Sequence, residues 1–441
     1  MSFQKSIPQQ SIVTDLETMN PVLHRIKNII APIIEKLELS ATPVTRGRQP
    51  LPVSIYISLA IYKIINGLTF RRLASATQEN ISLRMFADIT HIFRISKSTL
   101  QEQIALIDTE ILLKINTAIS EAHADFSGVR LDSSAVAANI APPENNNLLY
   151  SAVARVAKIM SKFEQICEQK IFSYLPDASV AKRLSYEIRF SNPKTDEKID
   201  LYTRLTLHVG HLMDNMANII NEALQAIEKL TDTSAKKRCN KYVDEMSFMT
   251  QKISCVISQT IGWLHGEIVA AGDKLFSVAK DMEHVDIIIK DRRKVVFGHK
   301  FDIVESRNGL IIGFFLYEGN PSDASNLLGV VDTMRKIYGS KIDKLVMDGG
   351  YNSRENLEKL NELGVSKAVF TRKRSLTLDD MGVTPEEYQE DKNFRSGVER
   401  AISRLKRSFG FEKLICTTSQ RFYLYLVIGV VAANLCTVQT M

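Results

Sequence analysis

Apolar positions recur along this chain in two rhythms, and the alternation between them sets out most of its architecture. Residues 1–40 carry a weak helical stripe (Val22, Ile26, Ile29, Ile30, Ile33, Ile34), after which Pro43, Gly47, Pro50 and Pro52 mark a linker. Several helical segments follow over residues 53–107, and Gly67-Leu68-Thr69 between two of them has the composition of a helix-turn-helix turn with Thr69 as N-cap. At residues 126–132 the period changes to two, which predicts a half-buried strand ending on Asp132. Residues 147–265 are helical in period almost throughout. Residues 295–304 and 310–317 then read as a hairpin around Arg307-Asn308-Gly309, a favoured turn. An amphipathic helix follows Asp323, then a buried strand that ends on Asp348 and breaks into Gly349-Gly350. A helix over 353–363, a short strand over 367–370, a polar loop and a last patterned helix from Phe394 complete the order of an α/β fold.

That last helix separates its chemistry by face. With Glu399 at zero and about 100° per residue, Arg395 and Lys406 fall within about 40° of it. Val398, Ile402, Leu405 and Phe409 gather near −90°, and Arg400, Arg404 and Arg407 near +105°, both values approximate. One face is core, one is a basic surface, and between them lies a carboxylate flanked by cations. This suits an acid that holds a metal ion beside a phosphodiester. Asp132 and Asp348 stand where two further acids are expected, since functional groups gather at the carboxyl ends of strands in an α/β sheet.

With these residues in view, the chain resembles the insertion-sequence transposases, which have a ribonuclease-H-like catalytic core and an Asp, Asp, Glu triad. The resemblance rests on Leu131-Asp132-Ser133-Ser134-Ala135-Val136, Asn139-Ile140, Asn147-Leu148-Leu149, Gly298-His299-Lys300, Gly319-Asn320-Pro321-Ser322-Asp323 and Asp348-Gly349-Gly350-Tyr351-Asn352-Ser353. It closes on Arg395-x3-Glu399-x6-Lys406, and where the family has Tyr three residues before the Arg this chain has Lys392. The resemblance implies a ribonuclease-H-like mixed sheet with a large helical insertion after the first strand and an all-α N-terminal DNA-binding region. The expected divisions are 1–120 for that region, 121–146 for the first part of the core, 147–285 for the insertion and 286–441 for the remainder.

The implied chemistry is metal-dependent cleavage and joining of DNA strands. Asp132, Asp348 and Glu399 would hold two Mg²⁺ or Mn²⁺ ions, Asp132 bridging them, because hard octahedral cations favour carboxylate oxygens. The implied partner is double-stranded DNA, as the terminal inverted repeats of an element and as target, with a homodimer assembled on it. Arg395, Lys406, Arg400, Arg404 and Arg407 are expected on phosphate near the site, and Arg46, Arg48, Arg71 and Arg72 on phosphate from the N-terminal helices. Two rivals are a DNA-binding protein of transposase descent that has lost its chemistry, and a plain nuclease on the same fold. All three acids in place argue against the first, and the N-terminal helical region argues against the second.

Charge and composition agree with such a partner. The net charge of +6 is modest, but residues 392–413 hold seven Lys or Arg against two Glu, and phosphate neutralisation supplies most non-specific DNA affinity. Five scattered cysteines without a C-x2-C pair read as reduced and buried, which predicts a cytoplasmic, nucleoid-associated protein. No secretory signal pattern opens the sequence. The longest apolar run, residues 422–435, falls short of the roughly 20 residues of a bilayer span and is expected to be a core helix. Ser396 with Glu399 three residues on could also be a capping box.

Overall fold

The computed structural model describes residues 20–37, 51–89, 95–192, 195–267, 269–270, 273–279, 284–290, 294–371, 376–416 and 418–441. The chain divides into two units, Met1–Ala137 with Lys290–Met441, and Ala138–Ile289.

The first unit begins with six helices, α1 (Pro21–Lys36), α2 (Val53–Ile65), α3 (Phe70–Glu79), α4 (Ile81–Phe86), α5 (Lys97–Ala105) and α6 (Thr109–His123). Between α2 and α3, Gly67 takes φ +59° and Thr69 Oγ1 accepts the amide of Arg72, so the chain turns by 113°. Leucines and isoleucines of these helices share one apolar core with the sheet that follows, and no second core separates them from it.

That sheet is built on β1 (Val129–Ala137). β2 (Asp286–Lys290) straddles the boundary between the units, and β3 (Lys294–Ser306) runs antiparallel to β1 with Val129 opposite Ser306 and Ala137 opposite Gly298. β4 (Ile311–Leu316) extends β3 antiparallel, closing the hairpin at Gly309 (φ +89°). On the other side β5 (Lys344–Met347) is parallel to β1, and β6 (Lys367–Phe370) is parallel to β5. Within the first unit the order is β4-β3-β1-β5-β6, three antiparallel strands followed by two parallel ones. α11 (Asp323–Tyr338) leads into β5, and α12 (Arg354–Glu362) lies between β5 and β6.

β1 differs from its predicted form. It runs five residues beyond Asp132, paired with β3 along its whole length, and its residues are buried on both faces. Asp132 thus sits within the strand. It still marks an edge, since the parallel ladder with β5 stops at the pair Leu131–Met347, and the next residues on the two strands are Asp132 and Asp348.

The patterned helix is two helices, α13 (Pro385–Ser396) and α14 (Val398–Ser408), joined at Gly397. Thr384 and Glu387 form a capping box at the start of α13. Ser396 does not form one with Glu399, because its hydroxyl donates to the Asn393 carbonyl at 2.7 Å. Gly397 keeps helical angles (φ −64°, ψ −25°), but the carbonyl of Phe394 accepts Arg130 Nη1 at 2.6 Å and the Gly397 amide at 3.1 Å. Arg130 thereby interrupts the ladder, and a Cβ at Gly397 would collide with its guanidinium. The helical phase nevertheless carries across, since Arg395 still reaches Glu399 one turn on.

α15 (Ser419–Val438) is apolar on all sides and long enough to cross a membrane by composition, yet most of it is buried in the first unit's core. Asn434 is the buried exception. Its side chain accepts the amide of Ile311 at 2.9 Å and donates to the Ile311 carbonyl at 2.8 Å, taking the place of a neighbouring strand for β4, and it also donates to Asn116 Oδ1. Arg404 of α14 then grips α15 through Thr437 Oγ1 at 2.6 Å and the Ala433 carbonyl at 2.9 Å.

The second unit holds α7 (Asn145–Cys167), α8 (Ala178–Phe190), α9 (Asp196–Lys229) and α10 (Thr233–Leu264), packed around a separate apolar core.

Candidate active site

Three elements deliver one carboxylate each to a single guanidinium. Arg395, at the end of α13, donates from Nη2 to Asp132 Oδ2 of β1 at 2.8 Å and lies 3.7 Å from Asp348 Oδ2 beyond β5. From Nη1 it donates to Glu399 Oε1 of α14 at 3.0 Å. The side chains of Asp132 and Arg395 are 11% and 14% exposed against 65% for Glu399, so the cluster is shielded on the sheet side and open on the helix side. Burial pushes the Asp132 carboxyl up to about 6, against the pull of Arg395 and of the Ser133 amide, and the neighbouring Asp348 and Asp323 push it further up.

Asp348 is set by the turn that follows it. Gly349–Tyr351 forms one 3-10 turn, and the fully buried Tyr351 donates its hydroxyl to Asp302 Oδ1 at 3.0 Å. Tyr317 donates to the other oxygen of Asp302 at 2.8 Å, and Asn356 donates to the Tyr351 carbonyl at 2.9 Å. The pairing of Ser133 with Asp302 puts Asp302 on the opposite face of the sheet from Asp132, so this turn is held from behind. Burial raises the Asp302 carboxyl to about 7 even though both tyrosines favour its ionised form. A Cβ at Gly350 would lie 2.7 Å from Asp323 Oδ2. Asp323 is in turn paired with Lys300 at 2.6 Å, whose ammonium also donates to the Pro321 carbonyl.

Of the residues that the sequence singled out, Asp132, Asp348, Glu399 and Arg395 come together. Lys406 is half-buried on α14, and Arg400 and Arg407 are exposed on it. Arg404 is turned away from solvent onto α15. Arg71 and Arg72 are exposed on α3, where they line a depression with Ser75 and Glu79. Arg46 and Arg48 lie outside the described residues. Sequence reasoning missed Asp302 and Tyr317, since one Asp within an apolar strand carries no motif, and it named Tyr351 only as part of the motif that opens on Asp348. It also missed Arg130, which the period of two puts on the face of Asp132.

Three carboxylates from separate elements are the hard oxygen set that Mg²⁺ and Mn²⁺ prefer, and they already surround one cationic group, so the residues fit such ions. Among the described residues no three acidic, His or Cys groups stand together as an ion cage, and the Arg395 guanidinium contacts all three acids.

A family model described as Transposase DDE domain matches residues 290–435, and one described as Transposase domain (DUF772) matches residues 3–102. No curated protein and no solved structure matches the chain.

Proposed function

We propose that this chain, which belongs to the DDE transposases of insertion sequences, cuts and joins DNA at the site formed by Asp132, Asp348 and Glu399. The family is one of metal-dependent enzymes of DNA phosphoryl transfer. On this reading the sheet order is that of a ribonuclease-H-like core, with Ala138–Ile289 as an insertion after β1. The observation that carries the site assignment is the convergence of three acids from β1, the β5 turn and α14 on one guanidinium. Three like charges repel one another, and a protein that only binds DNA gains nothing from gathering them.

Two Mg²⁺ or Mn²⁺ ions held by these acids would supply activation of the attacking oxygen and neutralisation of the leaving one. The chain itself orients and shields. Tyr351 and Asp302 fix the turn that carries Asp348, and β3 and α13 keep water from the inner side of Asp132. Lys406, Arg400 and Arg407 line the open side of α14 and would take the phosphates next to the scissile bond. Arg71 and Arg72 on the second helix of the helix-turn-helix, with Arg46 and Arg48, would hold the terminal repeats of the element, two copies of the chain engaging its two ends. The protein would act in the cytoplasm, on the nucleoid.

The test uses DNA from the flanks of the reading frame. Asp132→Asn, Asp348→Asn and Glu399→Gln should each abolish Mg²⁺-dependent cleavage of that DNA while binding it as the unaltered chain does. Cleavage that survives in any one of them removes that residue from the site. Replacing Arg71 or Arg72 by Ala should lower the salt slope of log K by about one each, and an unchanged slope would move recognition to another part of the chain.

A further inference from the structure

We propose that Arg395 competes with divalent ions for the carboxylate oxygens of the site, so that DNA phosphate, by drawing the guanidinium away, opens the site to metal. The inference rests on the reading of Asp132, Asp348 and Glu399 as metal ligands and adds the order in which metal and DNA load.

Arginine keeps its charge at every accessible pH, so it cannot yield its place by losing a proton. Two divalent ions bring four positive charges to the oxygens that the guanidinium already engages. In a cleft where Arg395 and Asp132 are largely shielded from water, these like charges and the guanidinium exclude one another. One side chain has to move, and the geometry of Arg395 favours the guanidinium. Its buried Nε has no hydrogen-bond partner, so the group is held by its two terminal nitrogens alone. The planar fork that donates to carboxylates donates equally well to a phosphate. Glu399, on the open side, lets the fork swing towards solvent without crossing the core, and Arg400 on the same helix adds positive potential for an incoming phosphate. The coupling is reciprocal, so metal must raise DNA affinity by the factor with which DNA raises metal affinity.

An arginine that merely braced the acids would act in the opposite direction, since its loss would loosen the site and weaken metal binding. The experiment is therefore a Mn²⁺ titration of the full chain, read by the paramagnetic resonance of the free ion. Without DNA, Arg395→Gln should bind Mn²⁺ about tenfold more tightly than the unaltered chain, as expected for the loss of one charge-assisted contact. A random-sequence duplex at low salt should raise Mn²⁺ affinity of the unaltered chain by a similar factor and leave that of Arg395→Gln nearly unchanged. Arg395→Lys, which keeps the charge without the fork, should fall between the two and guards against a variant that fails to fold. Mn²⁺ binding by both variants that equals or falls below that of the unaltered chain overturns the competition. Failure of the three-acid reading has a different signature, because Asp132→Asn would then bind Mn²⁺ as well as the unaltered chain.

Discussion

Two arginine–carboxylate centres lie one pleat apart on the same face of β1, and they are built with opposite balance. In the first, Arg130 of β1 meets Glu305 of β3 at 2.6 Å, with 8% and 4% of the side chains exposed, one charge against one. Its Nη1 donates to the Phe394 carbonyl, and its flat face lies over the Phe394 ring. In the second, Arg395 faces three acids, one of them mostly exposed. In the balanced pair each charge is answered by a direct partner, and with its bond to the Phe394 carbonyl it fixes the junction of α13 and α14. An unbalanced cluster that opens to solvent attracts cations, and the resting structure satisfies it only in part. Charge count within the contact shell thus separates scaffold from chemistry more sharply than burial does.

The comparison can be broken first at the acids. Asp348→Ala should reduce Mg²⁺-dependent strand cleavage by at least about a thousandfold, the scale seen when a preorganised electrostatic group is removed, with little change in thermal midpoint. A fall in stability with cleavage retained would make the second centre a scaffold like the first. The converse applies to Arg130. Arg130→Ala leaves Glu305 charged and buried, which should cost about 3–5 kcal/mol in denaturant unfolding, whereas Arg130→Met with Glu305→Leu should recover most of that loss. If the single variant unfolds no more easily than the unaltered chain, the pair is not the brace described above.

Smaller effects sharpen the contrast. Lys406→Ala should slow strand joining and weaken binding of pre-cleaved ends by about tenfold, equivalent to roughly 1.4 kcal/mol, and Lys406→Arg should retain more activity because the charge survives. Behaviour like the unaltered chain in both assays would return Lys406 to the solvated surface. Asp302 offers the smallest change, one of slope. Its carboxyl is raised to about 7 in the folded chain from an unfolded value of about 3.9, so its protonated form stabilises the fold at low pH. That contribution falls away as pH rises from about 4 through 7. Asp302→Asn should flatten the decline in thermal midpoint over that window, and an unaltered pH profile would show that Asp302 does not titrate there.

Much of this arrangement was legible in the sequence where local signals set it. Gly309, Gly67 and Thr69 announced their turns, and the spacing of Arg395 and Glu399 placed them on one stripe, along which a hydrogen bond joins them. The period along a helix tells which residues share a face but not what that face meets. Arg395 was assigned to phosphate, and the stripe gave no sign that in the fold it also meets Asp132 of β1 and Asp348 after β5, both more than forty residues away in sequence. β1 was read too short because Ser133 and Ser134 disturb the alternation, although β3 pairs with both. The break at Gly397 was hidden for the same reason: its cause, Arg130, arrives from another element.

Asn434 gives the apolar α15 an orientation that its other side chains cannot. A helix that is greasy on every side packs almost equally well after rotation by one residue, so dispersion forces leave its azimuth degenerate. A single amide that must meet both backbone groups of Ile311 lifts that degeneracy, because any other rotation strands a polar group in hydrocarbon. Ala433 and Thr437, the anchors of Arg404, are fixed in the same stroke. A rotation by one residue would carry them about 100° around the axis and take α14, with Glu399, along. The placement of one acid at the surface is therefore encoded partly in the side-chain amide of an otherwise featureless helix on the far side of α14.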